Sequence, residues 1–290
     1  MLKRLAAALA GSPLFARARR LMEKNRANWN LPVRRTDNLL ICSYLILSDY
    51  AAGLYPPPHL DRATAYENER QYGHKLGGVS WEEFQAKEMR KPFWDASAAD
   101  KYLNGFVRLL RLFESLGIAP GSRVLEMGCG SGWMAEFFAL AGYNVVATTI
   151  APTDEPAVES RAAALRAKGV TNELVFKLSP MEEVDQVVEL NSFDAAYIHQ
   201  ALHHVYDWRA ALQAAFRILK PAGWLIIADE PNVLHTFTSY RMGQLSGTHE
   251  IGLNRRQIIR CLRDSGYREV RAISPRFDDR LHPLWIVARK

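Results

Sequence analysis

The sequence predicts an α/β fold, with helices on both faces of a largely parallel sheet, preceded by a mainly helical extension. Two observations predict it. From about residue 100 onward, short apolar strand-like runs alternate with helical ones, the pattern of parallel strands joined by crossover helices. Where the first of those strands ends, glycines at 128, 130 and 132 punctuate the turn into a helix, at the carboxyl edge where ligands of such sheets bind. The change of texture divides a helical N-terminal extension or cap, residues 1–100, from a sheet domain, residues 101–290. A chain of 290 residues accommodates one such domain with an extension. With 48% hydrophobic and 23% charged residues it is neither disordered nor fibrous. Cys42, Cys129 and Cys261 are too far apart for a disulfide framework or a Cys-rich zinc module, which suits a reducing compartment, the cytoplasm.

Taken in order, the opening MLKRLAAALAGSPLFARA imitates a secretion signal. Gly11-Ser12-Pro13 breaks its apolar stretch, and Arg17, Arg19 and Arg20 follow at once, so no cleavage is expected. Ser12 reads as an N-cap and Pro13 as the first helical position. The helix that follows carries Leu14, Ala18, Leu21 and Met22 on one side and Arg17, Arg20 and Lys24 elsewhere. Residues 1–37 sum to a net charge of +7 in a chain of +6, which leaves −1 for the rest. The basic arm, residues 1–29, is therefore a candidate for an anionic membrane surface, peripheral to its inner face; the plainer reading is a helix packed on its own domain. The near-neutral remainder argues against nucleic acid. Leu39 to Leu47 is too short to span a bilayer and is read as a buried helix.

Turns are dense at Pro56-Pro57-Pro58 and Gly77-Gly78. A helical pattern then runs through Tyr102, Phe106, Leu109, Phe113 and Leu116 to Gly117. Strands are expected at 123–127, 144–150, 173–178, 193–199, 224–228, 269–273 and 284–288, and helices at 133–141, 156–168, 208–219 and 255–265. Asn254 to Gln257 has capping-box-like spacing. The stretch Pro231 to Gly252 is long for a connection: a lid or binding loop, or a decoration with a helix of its own.

The glycine loop reads Val124-Leu125-Glu126-Met127-Gly128-Cys129-Gly130-Ser131-Gly132-Trp133. A dinucleotide fingerprint would place glycine at 133, where Trp133 stands. Glu126 before the loop attracts a cationic group and would repel a pyrophosphate. The run VLEMGCGSGW resembles motif I of the class I S-adenosylmethionine-dependent methyltransferases. Phe193 to Val205 resembles that family's fourth strand with its "LHH" turn, and Leu219-Lys220-Pro221-Ala222-Gly223 its "LKPGG" turn. The resemblance covers roughly residues 100–290. It implies a Rossmann-like seven-stranded sheet and S-adenosylmethionine as cofactor, leaving as S-adenosylhomocysteine. The binding shell it implies is Glu126, Gly128, Cys129, Gly130, Gly132, Thr148, Thr149, Met181, Glu182 and His199. One position departs from the family: the acid that usually holds the ribose hydroxyls falls on Thr149. A hydroxyl is a weaker acceptor than a carboxylate, so weaker binding is expected, or compensation from Thr148 or Asp154.

Methyl transfer from a sulfonium is an in-line displacement, and a hydroxyl acceptor benefits from a general base. The candidates are His203 and His204 after strand four, and Asp229 and Glu230 after strand five. His203 is the expected base, with Asp229 or Glu230 orienting it or the acceptor. Asp229, Glu230 and Asn232 offer oxygen ligands, but no acid follows strand four, so no metal is expected. The acceptor is expected to be a small molecule, a sugar or glycan, or a lipid-linked group, methylated on oxygen. The alternative is a non-catalytic binding or scaffold protein that retains the fold.

Overall fold

The computed structural model describes residues 1–28, 31–55, 60–250, 252–273 and 283–290, with the side chains of 73–77 outside that description. The turn expected at Pro56-Pro57-Pro58 lies outside the described residues, as does Trp29 in the basic arm.

Among the described residues, the N-terminal region holds α1 (Leu2–Gly11), α2 (Ala16–Ala27), α3 (Arg35–Ala52), α4 (Arg62–Gly77) and α5 (Trp81–Met89). Pro13 opens a three-residue turn that leads into α2, and the Ser12 hydroxyl caps nothing. The apolar side of α2 is covered: Ala18 and Met22, with Phe15, pack on Ile41, Cys42 and Leu45 of α3. The exposed apolar stripe lies instead on α1. There Ala6 and Ala10 are buried, while Leu2, Leu5 and Leu9 stand 64%, 57% and 43% exposed. Residues Leu39 to Leu47 fall inside α3, and no described helix is long and apolar enough to cross a membrane.

The sheet domain opens with α6 (Ala96–Ser115). Its strands are β1 (Arg123–Met127), β2 (Asn144–Thr149), β3 (Leu174–Leu178), β4 (Phe193–His199), β5 (Leu219–Glu230), β6 (Glu269–Ala272) and β7 (Leu284–Arg289). They form one sheet in the order β3-β2-β1-β4-β5-β7-β6, parallel except for β7, which runs antiparallel to both neighbours. The helices between them are α7 (Trp133–Leu140), α8 (Glu155–Ala167), α9 (Val184–Val187), α10 (Trp208–Ile218), α11 (Thr236–Ser246) and α12 (Arg255–Asp264). This is the seven-stranded Rossmann-like architecture expected. β5 begins five residues early because Leu219 pairs with Phe193 before the Lys-Pro-Ala-Gly turn shifts the register, and pairing resumes at Trp224.

Strands buried on both faces need an apolar layer on each. On one face α6, α7 and α8 contribute Leu109, Phe113, Phe138 and Leu165, packed around Tyr197 and Tyr143. On the other, α10 and α12 contribute Leu212, Ala215, Ile258 and Leu262. The long insertion holds a helix of its own, α11, which is tied to the N-terminal region. Tyr240 donates to Asp49 at 2.6 Å, and Arg241 donates to Asn38 at 2.7 Å and to Asn25 at 3.0 Å.

Candidate active site

The carboxyl ends of β1, β2 and β4 open into a cavity of about 330 Å³, roofed by α4 and α5. Residues 128–130 turn tightly enough to face it. A Cβ at Gly128 would come within 2.4 Å of Met181 Cε and 2.7 Å of Ala201 Cβ, so only glycine fits. The N–H groups of Gly128 and Cys129 both donate to the Thr148 carbonyl, at 2.8 and 2.9 Å. A Cβ at Gly130, by contrast, would meet open space. Gly132 is the left-handed N-cap of α7 and packs against Val158.

Glu126 ends β1 with its Oε2 buried and without a hydrogen-bond partner. Burial pushes its carboxyl up to about 8, and a cation beside it would favour its ionised form. At the end of β2, Thr148 is wholly buried and donates to the Glu126 carbonyl at 3.0 Å. Thr149 faces the cavity and donates to Asp154 Oδ2 at 3.2 Å. Asp154 thus brings a carboxylate to the edge where Thr149 lacks one, and burial raises it to about 6. Met181 lines the cavity beneath Gly128. Glu182 does not: it accepts from the Asp207 amide at 2.9 Å and anchors α10. His199 lines the cavity, its Nε2 unpartnered beneath Gly105 of α6.

The turn after β4 is held from behind by Glu230. Its carboxylate accepts from the amides of Ala201 and Leu202 at 2.7 and 2.8 Å, from that of His203 at 3.3 Å, and bonds His203 Nδ1 at 2.8 Å. Burial would raise this carboxyl, but those donors hold it below the usual range. Burial and the neighbouring His204 also lower His203 below the usual imidazole range. Asp229, in the left-handed region at φ 55°, receives the side-chain amide of Gln200. His204 is the histidine of this turn that lines the cavity. Its Nδ1 lies 3.1 Å from Glu69 Oε2 of α4, and its Nε2 lies 3.5 Å from Glu250 Oε1. Burial pulls His204 down, but the two carboxylates outweigh it and hold the imidazole up at about 9.

The structure therefore brings Glu126, Gly128, Cys129, Gly130, Thr149, Met181, His199 and His204 to one cavity, and sets Thr148, Gly132, Glu182, His203 and Glu230 behind it. Sequence reading missed Glu69 of α4 and Glu250 of the insertion. No local motif marks them; only the packing of distant segments does.

Comparison with known proteins places this geometry. A family model described as a methyltransferase domain matches residues 99–272, more than half of the chain. A ubiquinone biosynthesis O-methyltransferase of Xanthomonas oryzae pv. oryzae is 32% identical over 138 residues, 47% of this chain and 55% of the relative. An S-adenosyl-L-methionine-dependent Diels-Alderase of Talaromyces variabilis is 31% identical over 136 residues, 47% of this chain and 45% of the relative. The chain thus spans about half the length of the curated relatives it matches. Among solved structures, a candidate sarcosine dimethylglycine methyltransferase from Galdieria sulphuraria superposes with a TM-score of 0.53 at 16% identity, over 77% of this chain and 97% of that one. Its fold is the same. The orphaned Glu126 carboxyl and the open side of Gly130 suit the ammonium and backbone of S-adenosylmethionine. The chain belongs to the class I S-adenosylmethionine-dependent methyltransferases.

Proposed function

We propose that the protein methylates a hydroxyl of a small, largely apolar molecule. One observation supports the reading above others. The cavity that holds Glu126, Gly130 and Asp154 is also lined by His204 and Glu69 and walled by Tyr66, Tyr72 and Trp81. Donor site and proton acceptor share one enclosure.

S-adenosylmethionine supplies an activated methyl on a sulfonium. Glu126 takes the ammonium of its methionyl part, Asp154 with Thr149 takes the ribose hydroxyls, and Met181 packs on the adenine. The acceptor lies between the aromatic walls, with its hydroxyl toward the His204–Glu69 pair. With S-adenosylmethionine bound, an oxygen–carbon bond would form as the carbon–sulfur bond broke, its electrons left on sulfur. The hydroxyl proton passes to the Glu69 carboxylate, because His204, held up at about 9, already carries its proton and serves to position that carboxylate. His203, expected as the base, gives its Nδ1 to Glu230 and lies behind His204; in this reading it fixes the turn. The O-methyltransferase name of the relative favours oxygen, and the aromatic walls favour an aromatic or lipid-linked acceptor over a glycan. The exposed leucines of α1 beside Lys3 and Arg4 favour peripheral association with an anionic membrane.

The test joins calorimetry with S-adenosylhomocysteine to a tritiated methyl-transfer screen over phenolic and aliphatic alcohols. Binding should be abolished by Gly130→Val. His204→Asn and Glu69→Gln should each lower kcat about 100-fold or more without changing S-adenosylhomocysteine affinity. Transfer to amines or thiols alone, or unchanged turnover in both variants, would overturn the reading.

A further inference from the structure

The buried groups behind the acceptor wall are more numerous than a proton relay requires. Three carboxylates, Glu230, Glu69 and Glu250, have side chains 0%, 7% and 10% exposed. Among the described residues their close basic partners are all imidazoles, those of His203, His204 and His235, and none is Lys or Arg. A ligating nitrogen of His203, one of His204 and an oxygen of Glu250 all lie within 4.8 Å of one another. The two rings lie 4.1 Å apart between centroids, tilted by 41°. His203 Nδ1 is hydrogen-bonded to Glu230 at 2.8 Å, and His204 Nδ1 lies 3.1 Å from Glu69 without hydrogen-bond geometry, which leaves Nε2 of each for another partner. His204 Nε2 stands 3.5 Å from Glu250, close to the spacing between two ligands of one tetrahedral ion. A carboxylate behind each ligating histidine is the support that metal-binding imidazoles receive in proteins. Beside them His249 is buried with neither ring nitrogen hydrogen-bonded, and its own amide donates to Glu69 at 2.9 Å.

We propose that His203 Nε2, His204 Nε2 and Glu250 form a binding site for a divalent transition-metal ion, with Glu230 and Glu69 as the outer carboxylates that orient the two rings. Two imidazoles and one carboxylate favour Zn²⁺, Co²⁺ or Mn²⁺ over Mg²⁺, which takes oxygen ligands and keeps its waters. His235, whose Nε2 is 3.5 Å from Glu250 Oε2, is placed to join or replace a solvent ligand. The ion would lie against the acceptor half of the cavity, because His204 lines it. The site uses neither Asp229 nor Asn232, so it differs from the oxygen set that the sequence suggested and set aside.

The experiment is a titration of the tag-free, chelator-treated full chain with Co²⁺, read by visible absorption and checked by competition with Zn²⁺. The expected result is one Co²⁺ per chain, with ligand-field bands that Zn²⁺ bleaches. Glu250→Gln and His203→Asn should each abolish the bands, and Glu69→Gln should weaken binding about 10- to 100-fold. Circular dichroism on each variant separates lost binding from lost folding; Glu69→Gln, an outer position, serves if an inner variant fails to fold. Absence of saturable binding, or stoichiometric binding that survives all three substitutions, would overturn the site. S-adenosylhomocysteine calorimetry on the same preparation distinguishes this failure from that of the methyltransfer reading: cofactor binding without Co²⁺ binding sinks only the metal site.

Discussion

Single residues carry the cofactor argument. Thr149 stands where the resemblance implies an acid, and its hydroxyl leads to Asp154. If that carboxylate is the ribose acceptor, Asp154→Asn should weaken S-adenosylhomocysteine binding about 10-fold, since charged acceptors make the stronger hydrogen bonds. The sign of the pH effect follows from burial. Asp154 sits near 6, so the ionised acceptor is present above that pH and lost below it. Wild-type affinity should fall as pH drops through 6 and stay flat in the variant, as isothermal titration at several pH values would record. Thr149→Asp should not help at neutral pH, because two carboxylates about a hydrogen bond apart repel; together with Asp154→Asn it should restore binding. Glu126 makes a separate prediction. It sits near 8, largely protonated at pH 7, and an incoming ammonium would ionise it. Cofactor binding should then release close to one proton, seen as a dependence of binding enthalpy on the buffer's ionisation enthalpy.

At the scale of elements, the sheet was legible because each strand is a short apolar run ended by a turn, and β1 and β4 were bounded to the residue. β5 was not, because its start lies across the Lys-Pro-Ala-Gly turn and depends on pairing with Phe193. That turn also holds Ala222 at φ 67°, a left-handed position where the resembling family has glycine. Ala222→Gly should raise stability by about 0.5–1 kcal/mol, read as a higher midpoint in urea. The seam between cap and sheet depends on α8. Arg161, nearly buried, donates to the carbonyls of Ser131, Met89 and Lys91 at 2.8, 3.1 and 3.2 Å and pairs with Glu136 at 2.5 Å. No motif announces it, since its partners lie 25 to 72 residues away. Arg161→Met should cost about 3 kcal/mol, because it strands a buried carboxylate and three carbonyls. It should also raise the KM for S-adenosylmethionine by loosening the roof.

Across the whole molecule, half of the site was readable and half was not, for one physical reason. Glu126, the glycine loop and the two histidines follow strands whose ends converge by the rules of the fold. Glu69 and Glu250 reach the same point only through the packing of α4 and of the segment after α11, and such long-range contacts leave no local trace. The +7 arm was legible in charge, and its helix α2 takes the plainer of the two readings, that of a helix packed on its own domain. Its apolar leucines project from α1, while α2 turns inward. Leu5→Glu with Leu9→Glu should therefore abolish salt-sensitive cosedimentation with phosphatidylserine vesicles without altering circular dichroism. One helix links these observations. α3 is packed on α1 along one side, while on the other it grips α11 through Asp49 and Asn38. The chain that leaves α11 carries His249 and Glu250 to His204 within four residues. A leaflet that steadies α1 would thus steady the wall against which the acceptor is aligned. Such an enzyme would work faster at an interface than in free solution, even toward an acceptor that never enters the lipid.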